Sequence, residues 1–79
     1  MVGGDKLNTQ LLKSKRALKG FTQKKLAELL NITGKTYNLK ELGKVDFKLH
    51  EIIELSNNLD LSESEINEIF FDNNLPFGR

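Results

Sequence analysis

The sequence has no cysteine and a single histidine, His50, so it offers neither a disulfide framework nor the thiol and imidazole set that structural zinc requires. No apolar run approaches the roughly 18 residues of a membrane span. The opening Met1-Val2-Gly3-Gly4-Asp5 also lacks the basic flank and apolar stretch of a secretory signal, so the chain is expected in the cytoplasm. No glycine-rich phosphate loop appears, nor any constellation of nucleophile, base and orienting group, which argues against an enzyme and leaves no cofactor to expect. With 79 residues there is room for one domain a few helices deep, held by packing alone.

What is present is charge, unevenly distributed. From Met1 to Lys48 there are eleven Lys or Arg against four acids, a net +7, and from Leu49 to Arg79 there is one base against seven acids, a net −6. A basic surface gathered in one part of a small domain suits a polyanion such as DNA, whereas solvated helix faces would be the plainer explanation.

Apolar residues recur at helical spacing, and the breaks fall at residues suited to capping or turning. The first helix is expected over Thr9 to Leu18, capped by Asn8 or Thr9, with Leu11, Leu12, Ala17 and Leu18 turned inward and Gly20 as its stop. A second starts after Thr22, whose hydroxyl can accept from the amides beyond it, and buries Leu26, Ala27, Leu29 and Leu30. Asn31 stands where the chain must reverse, and asparagine tolerates a left-handed backbone. Thr33 then caps a third helix that stops at Gly43. The fourth helix, about Lys48 to Asn57, carries the densest apolar stripe, Leu49, Ile52, Ile53 and Leu55, with Phe47 beneath it. Ser62-Glu63-Ser64-Glu65 is a capping box for a fifth helix, with Leu61 and Ile66 as its hydrophobic staple and Ile69 and Phe70 on its buried face. The expected division is an N-terminal extension over 1–8, a domain over 9–71 and an irregular tail over 72–79.

Two helices joined by about three residues, with small Ala27 at the crossing, make a helix-turn-helix, whose second helix presents a face to the major groove. The run Thr22-Gln23-Lys24-Lys25-Leu26-Ala27, the Ile32-Thr33 turn, Gly43-Lys44 and the stretch from Glu51 to Phe71 resemble the phage Cro and repressor class of helix-turn-helix domains. The likeness extends to small prophage regulators of Gram-positive bacteria. It implies an all-α, five-helix, lambda-repressor-like bundle that binds double-stranded operator DNA. It also implies a weak homodimer, formed or tightened on a two-fold site.

Position by position, the resemblance implies that Gln23 contacts the DNA backbone or supports a base contact, at a helix start that favours phosphate. Gly34, Lys35, Asn38 and Leu39 match positions of the third helix that look into the groove. Lys35 has donors for guanine O6 and N7, Asn38 for a base edge or phosphate, and Leu39 an apolar surface for a thymine methyl. Gly34 would let the backbone approach closely. Lys44 suits a phosphate contact, Thr33 is a cap first, and Lys13, Arg16, Lys24 and Lys25 add to the field. Tyr37 matches a buried position, with its hydroxyl expected near the surface, and His50 is expected to be exposed.

The sequence departs from its relatives at Lys40-Glu41, where they carry a large apolar residue that locks the third helix onto the core. Leu39 and Leu42 lie about a half-turn from Tyr37 on the helical wheel. Either Lys40 lays its stem across the core and sends its ammonium outward, or the helix end is rotated, distorted or frayed until DNA is bound. A second reading of the chain is a helical protein-interaction module, such as an antitoxin or antirepressor subunit, that uses Leu39, Leu42 and the tail.

Overall fold

The computed structural model describes residues 7–71, which form five helices: α1 Thr9–Leu18, α2 Gln23–Leu30, α3 Gly34–Glu41, α4 Leu49–Asn58 and α5 Glu63–Phe70. The expectations for the tail over 72–79 lie outside these residues. No described helix is long and apolar enough to cross a membrane.

The helices start and stop where local chemistry requires. Asn8, Thr22, Thr33 and Ser62 each accept, through the side chain, the backbone N–H three residues on, which satisfies one of the open amides of a first turn. Glu65 returns the bond to the Ser62 N–H at 2.9 Å, completing the capping box. The first four helices all end in a left-handed residue, Gly20 (φ 79), Asn31 (φ 60), Gly43 (φ 80) and Asp60 (φ 54). In each case the next N–H, from Phe21, Ile32, Lys44 or Leu61, returns to a carbonyl five residues back in the helix at 2.9–3.1 Å. Three of these next residues, Phe21, Ile32 and Leu61, pack against the core. Each is followed at once by a capping Thr or Ser, so Gly20-Phe21-Thr22, Asn31-Ile32-Thr33 and Asp60-Leu61-Ser62 are one device used three times. Lys44 is the exception, exposed where the others are tucked in.

The core is built from Leu7, Leu12, Leu26, Ala27, Leu30, Tyr37, Phe47, Ile52, Leu55, Leu59, Ile69 and Phe70. Phe47 sits at its middle, edge-on to Tyr37 (ring centroids 6.2 Å apart) and to Phe70 (5.6 Å), a geometry that aromatic quadrupoles favour. Asn8 N–H donates to Ile69 C=O at 2.8 Å and ties the start of α1 to α5.

Several apolar expectations are corrected. Leu18 is 76% exposed and Ala17 is exposed, because the inward stripe of α1 runs from Leu12 through the half-buried Lys15 and Arg16. Leu29 is 37% exposed, lying off the Leu26-Ala27-Leu30 face. On α4 the apolar stripe is wider than its neighbours cover, which leaves Leu49 at 66% and Ile53 at 53%. Ion pairs do part of the work expected of these leucines: Lys15–Glu65, Lys19–Asp60 and Lys40–Glu51 all join the basic half to the acidic half. The pair with Asp60 is exposed and contributes little.

Two substitutions at the repeated helix end should act in opposite directions. Gly20→Ala forces a Cβ into a left-handed backbone with no other contact within 4 Å, and should lower stability by about 1 kcal/mol. Asp60→Gly relieves the same strain and should raise it by about 0.5 kcal/mol. Urea titration of the two variants measures both, and shifts of the same sign would refute the shared conformational origin.

Candidate nucleic-acid interface

The third helix divides cleanly. Tyr37, Lys40 and Glu41 are its buried residues, while Gly34, Lys35, Asn38 and Leu42 are exposed and Leu39 is half-buried. The outward face thus holds most of the positions read from sequence as groove-facing. Neither Lys35 nor Asn38 makes a side-chain hydrogen bond or ion pair within the described residues. A Cβ built on Gly34 meets nothing within 4 Å, so packing within the chain does not require glycine there. Thr33 is engaged as the cap: its hydroxyl accepts from Thr36 N–H at 3.0 Å and donates to Thr36 Oγ1 at 2.9 Å.

What fixes this face is the carboxylate of Glu41, 2% exposed. It accepts from Arg16 Nε at 2.8 Å and Arg16 Nη2 at 3.1 Å, from Gln23 Nε2 at 2.7 Å and from the Tyr37 hydroxyl at 2.8 Å. One acid therefore binds α1, α2 and α3, with the bidentate guanidinium fixing direction as well as distance. Arg16 also donates to Phe21 C=O at 3.0 Å. Burial pushes the Glu41 carboxyl up, but the hydrogen bonds from Arg16, Gln23 and Tyr37 outweigh it and hold the group below the usual carboxylate range. Burial, then the Glu41 charge, pushes the Tyr37 phenol well up.

This network and the bonds of Lys40 correct three expectations. The Tyr37 hydroxyl is inside, held by Glu41, because the carboxylate supplies there the partner that surface water would have given. Arg16 is committed to Glu41 and so adds little to the outward field. Lys40 neither sends its ammonium outward nor leaves the helix end frayed: it is 4% exposed, and Nζ lies 2.6 Å from Glu51 Oε1 and 3.0 Å from Asp46 C=O. Gln23 is half-buried with its amide turned to Glu41, so its side chain supports α3 from the start of α2.

The remaining bases form the outward charge. Among the described residues Lys13, Lys24, Lys25, Lys35, Lys44 and Lys48 pair with no acid. They lie on α1, at the starts of α2 and α3, after α3 and just before α4. Packing of α1 on α3 brings Gln10 and Lys13 to the rim of a hollow of about 240 Å³ that they share with Gln23, Asn38 and Leu42. Gln10 was given no role from sequence. Its i, i+3 spacing from Lys13 is the one available signal, and it points to α3 only once the helices are packed.

The α2–α3 unit itself is tight. Three residues connect the helices, Ala27 is buried at the crossing, and α2 and α3 pack more extensively than any other pair. A family model described as Helix-turn-helix matches residues 12–66. The chain belongs to the helix-turn-helix family of the Cro and repressor type. Its fold is similar to the crystal structure of the restriction-modification controller protein C.AhdI from Aeromonas hydrophila. The TM-score is 0.63 at 29% identity, over 73% of this chain and 84% of that one. No curated protein matches the sequence. As a helix-turn-helix protein it is a DNA-binding regulator of transcription and not an enzyme.

In this helix-turn-helix protein the Glu41 carboxyl titrates lower in the folded chain than in the unfolded one, so its stabilisation is present above the ordinary carboxylate pKa and lost as pH falls through the depressed value. Stability should decline from about pH 5 downward. Glu41→Gln should cost about 3 kcal/mol at neutral pH by leaving the Arg16 guanidinium without its counter-charge, and should flatten the acid dependence. Urea unfolding across pH reads both. A Gln variant as stable as the parent at pH 7 would remove Glu41 from its central place.

Proposed function

We propose that the protein binds a specific double-stranded operator by laying α3 in the major groove, and that it acts as a phage or prophage repressor or Cro-like regulator. The observation that carries the reading is the split of α3: the side chains of Tyr37, Lys40 and Glu41 are bonded on its buried side, whereas those of Lys35 and Asn38 make no bond among the described residues and lie with Gly34 on the exposed side. Lys35 is the reader, donating to guanine, with Asn38 and half-buried Leu39 beside it. Lys24 and Lys44 hold phosphates on either side, Thr33 and Gln23 keep the two helix starts in place, and Gly34 admits close approach. The reading unit is the domain over residues 9–71, in the cytoplasm.

An eight-residue helix is about 12 Å long and spans only three or four base pairs, too few to define an operator. A second protomer on a two-fold site supplies the rest. A groove of about 330 Å³ between α4 and α5, walled by Leu49, Ile53, Ile66 and Phe71, is the surface we assign to that pairing; none of its residues belongs to the DNA face. The likeness to a restriction-modification controller protein supports a second reading in the same class, in which the regulated genes form such a system; the promoters that carry the selected site decide between the two.

Selection of bound sequences from random duplex DNA should return a two-fold symmetric site whose affinity falls steeply with salt. Lys35→Ala should then lose about 1 to 3 kcal/mol, unevenly across base substitutions, while Lys24→Ala weakens all sites alike. Unchanged affinity and preference in Lys35→Ala would take Lys35 out of the reading set, and a stoichiometric protein partner without DNA affinity would favour the interaction module instead. Sedimentation of the protein on its operator should give two protomers per site, and Ile53→Glu should abolish the pairing without unfolding the chain. Monomers on operator at saturating protein would end the dimer proposal.

A further inference from the structure

Apolar burial anchors α3 at one residue only, Tyr37; the other two buried positions are the charged neighbours Glu41 and Lys40. They pull in different directions. Glu41 is held by α1 and α2 through Arg16 and Gln23, and Lys40 reaches the other way, to Glu51 in the first turn of α4 and to Asp46 just before it. Glu51 is itself pinned by the Lys48 N–H at 2.8 Å. The Lys40 ammonium therefore closes the corner between α3 and α4 from both sides, and Lys44 stands on the loop so closed, its own N–H bonded to Leu39 C=O at 2.9 Å.

An apolar residue at position 40 could have filled the same space. Hydrophobic burial is non-directional and lets a helix rotate or slide by small amounts without loss, whereas an ammonium between two fixed acceptors has a single seat. Replacing a buried ion pair by well-packed apolar groups of similar size often leaves stability unchanged or improved, so stability alone does not account for this one. We propose that the Lys40–Glu51 pair is a positioning element for operator recognition. It sets the angle of the C-terminal half of α3 and the height of the Lys44 corner, so that the Lys44 phosphate contact and the α3 base contacts fall into register together. This rests on the reading that α3 enters the groove.

The double variant Lys40→Met with Glu51→Gln tests it. Net charge is unchanged, so long-range attraction to DNA is preserved, and the substituted amide keeps an oxygen for the Lys48 N–H. Thermal unfolding should stay within about 5 °C of the parent. Operator affinity should fall by about tenfold or more, while affinity for an unrelated duplex of the same length should stay within about twofold. Lys44→Ala should weaken operator binding in the parent but add little in the double variant, and Lys24→Ala should cost the same in both. Native operator affinity in the double variant, with an undiminished Lys44→Ala effect, would overturn the proposal. If the double variant does not fold, Glu51→Asp carries the test: it keeps both charges, draws the corner toward α4, and should lose operator affinity several-fold, so native binding by it overturns the proposal equally. A parent protein that prefers no duplex over another would instead refute the reading of α3, and this proposal with it, and is told apart by needing no variant at all.

Discussion

A single buried carboxylate organises the molecule. Glu41 gathers a guanidinium, an amide and a phenol from three helices, and without it α3 would rest on one aromatic ring and the Lys40 ammonium. A short helix that keeps one face toward water has little apolar surface to bury, and charge-assisted bonds substitute for it. Burial of the ions costs free energy, which the surrounding donors offset: no buried side-chain nitrogen or oxygen among the described residues lacks a partner. The Lys40–Glu51 pair applies the same solution at the opposite side of the helix end.

The scaffold that carries these bonds is assembled from one local motif. A left-handed residue, an apolar plug and a hydroxyl cap turn the chain three times, so that each helix ends and the next begins within three or four residues. Where the plug is replaced by Lys44, the connection to α4 lengthens and passes through Phe47, whose ring joins the α3 and α5 sides of the core.

Much of this was legible because caps and turns are chemistry between near neighbours in sequence. Thr22, Thr33, Ser62 with Glu65, Gly20, Asn31 and Gly43 could each be read from a window of a few residues. Asp60 was not read as a turn residue, since aspartate serves as many roles as positions. The misreadings share one cause: a wheel of apolar residues records hydrophobicity, not what lies opposite. It set Leu18 inside and gave no inward role to Lys15 and Arg16, whose acids come from α5 and α3. It could not say that Lys40 would meet Glu51, eleven residues on, or that the Tyr37 hydroxyl would find its acceptor one turn away inside the core. At the candidate interface, the outward direction of Lys35 and Asn38 followed from the helix period, whereas the approach of Gln10 to Asn38 depended on how α1 crosses α3.

The side-chain bonds that α3 makes to the other helices all leave from its inner side, which separates two kinds of change that a regulator undergoes over time. Exchanges at Gly34, Lys35 or Asn38 disturb no side-chain hydrogen bond or ion pair among the described residues, so under the proposed reading of α3 the preferred binding sequence can drift while the architecture stays put. Exchanges at Arg16, Gln23, Tyr37 or Glu41 have no such freedom, since each leaves a desolvated partner stranded. On that reading, diversification of targets among descendants of this protein would be channelled to a few codons on one helix.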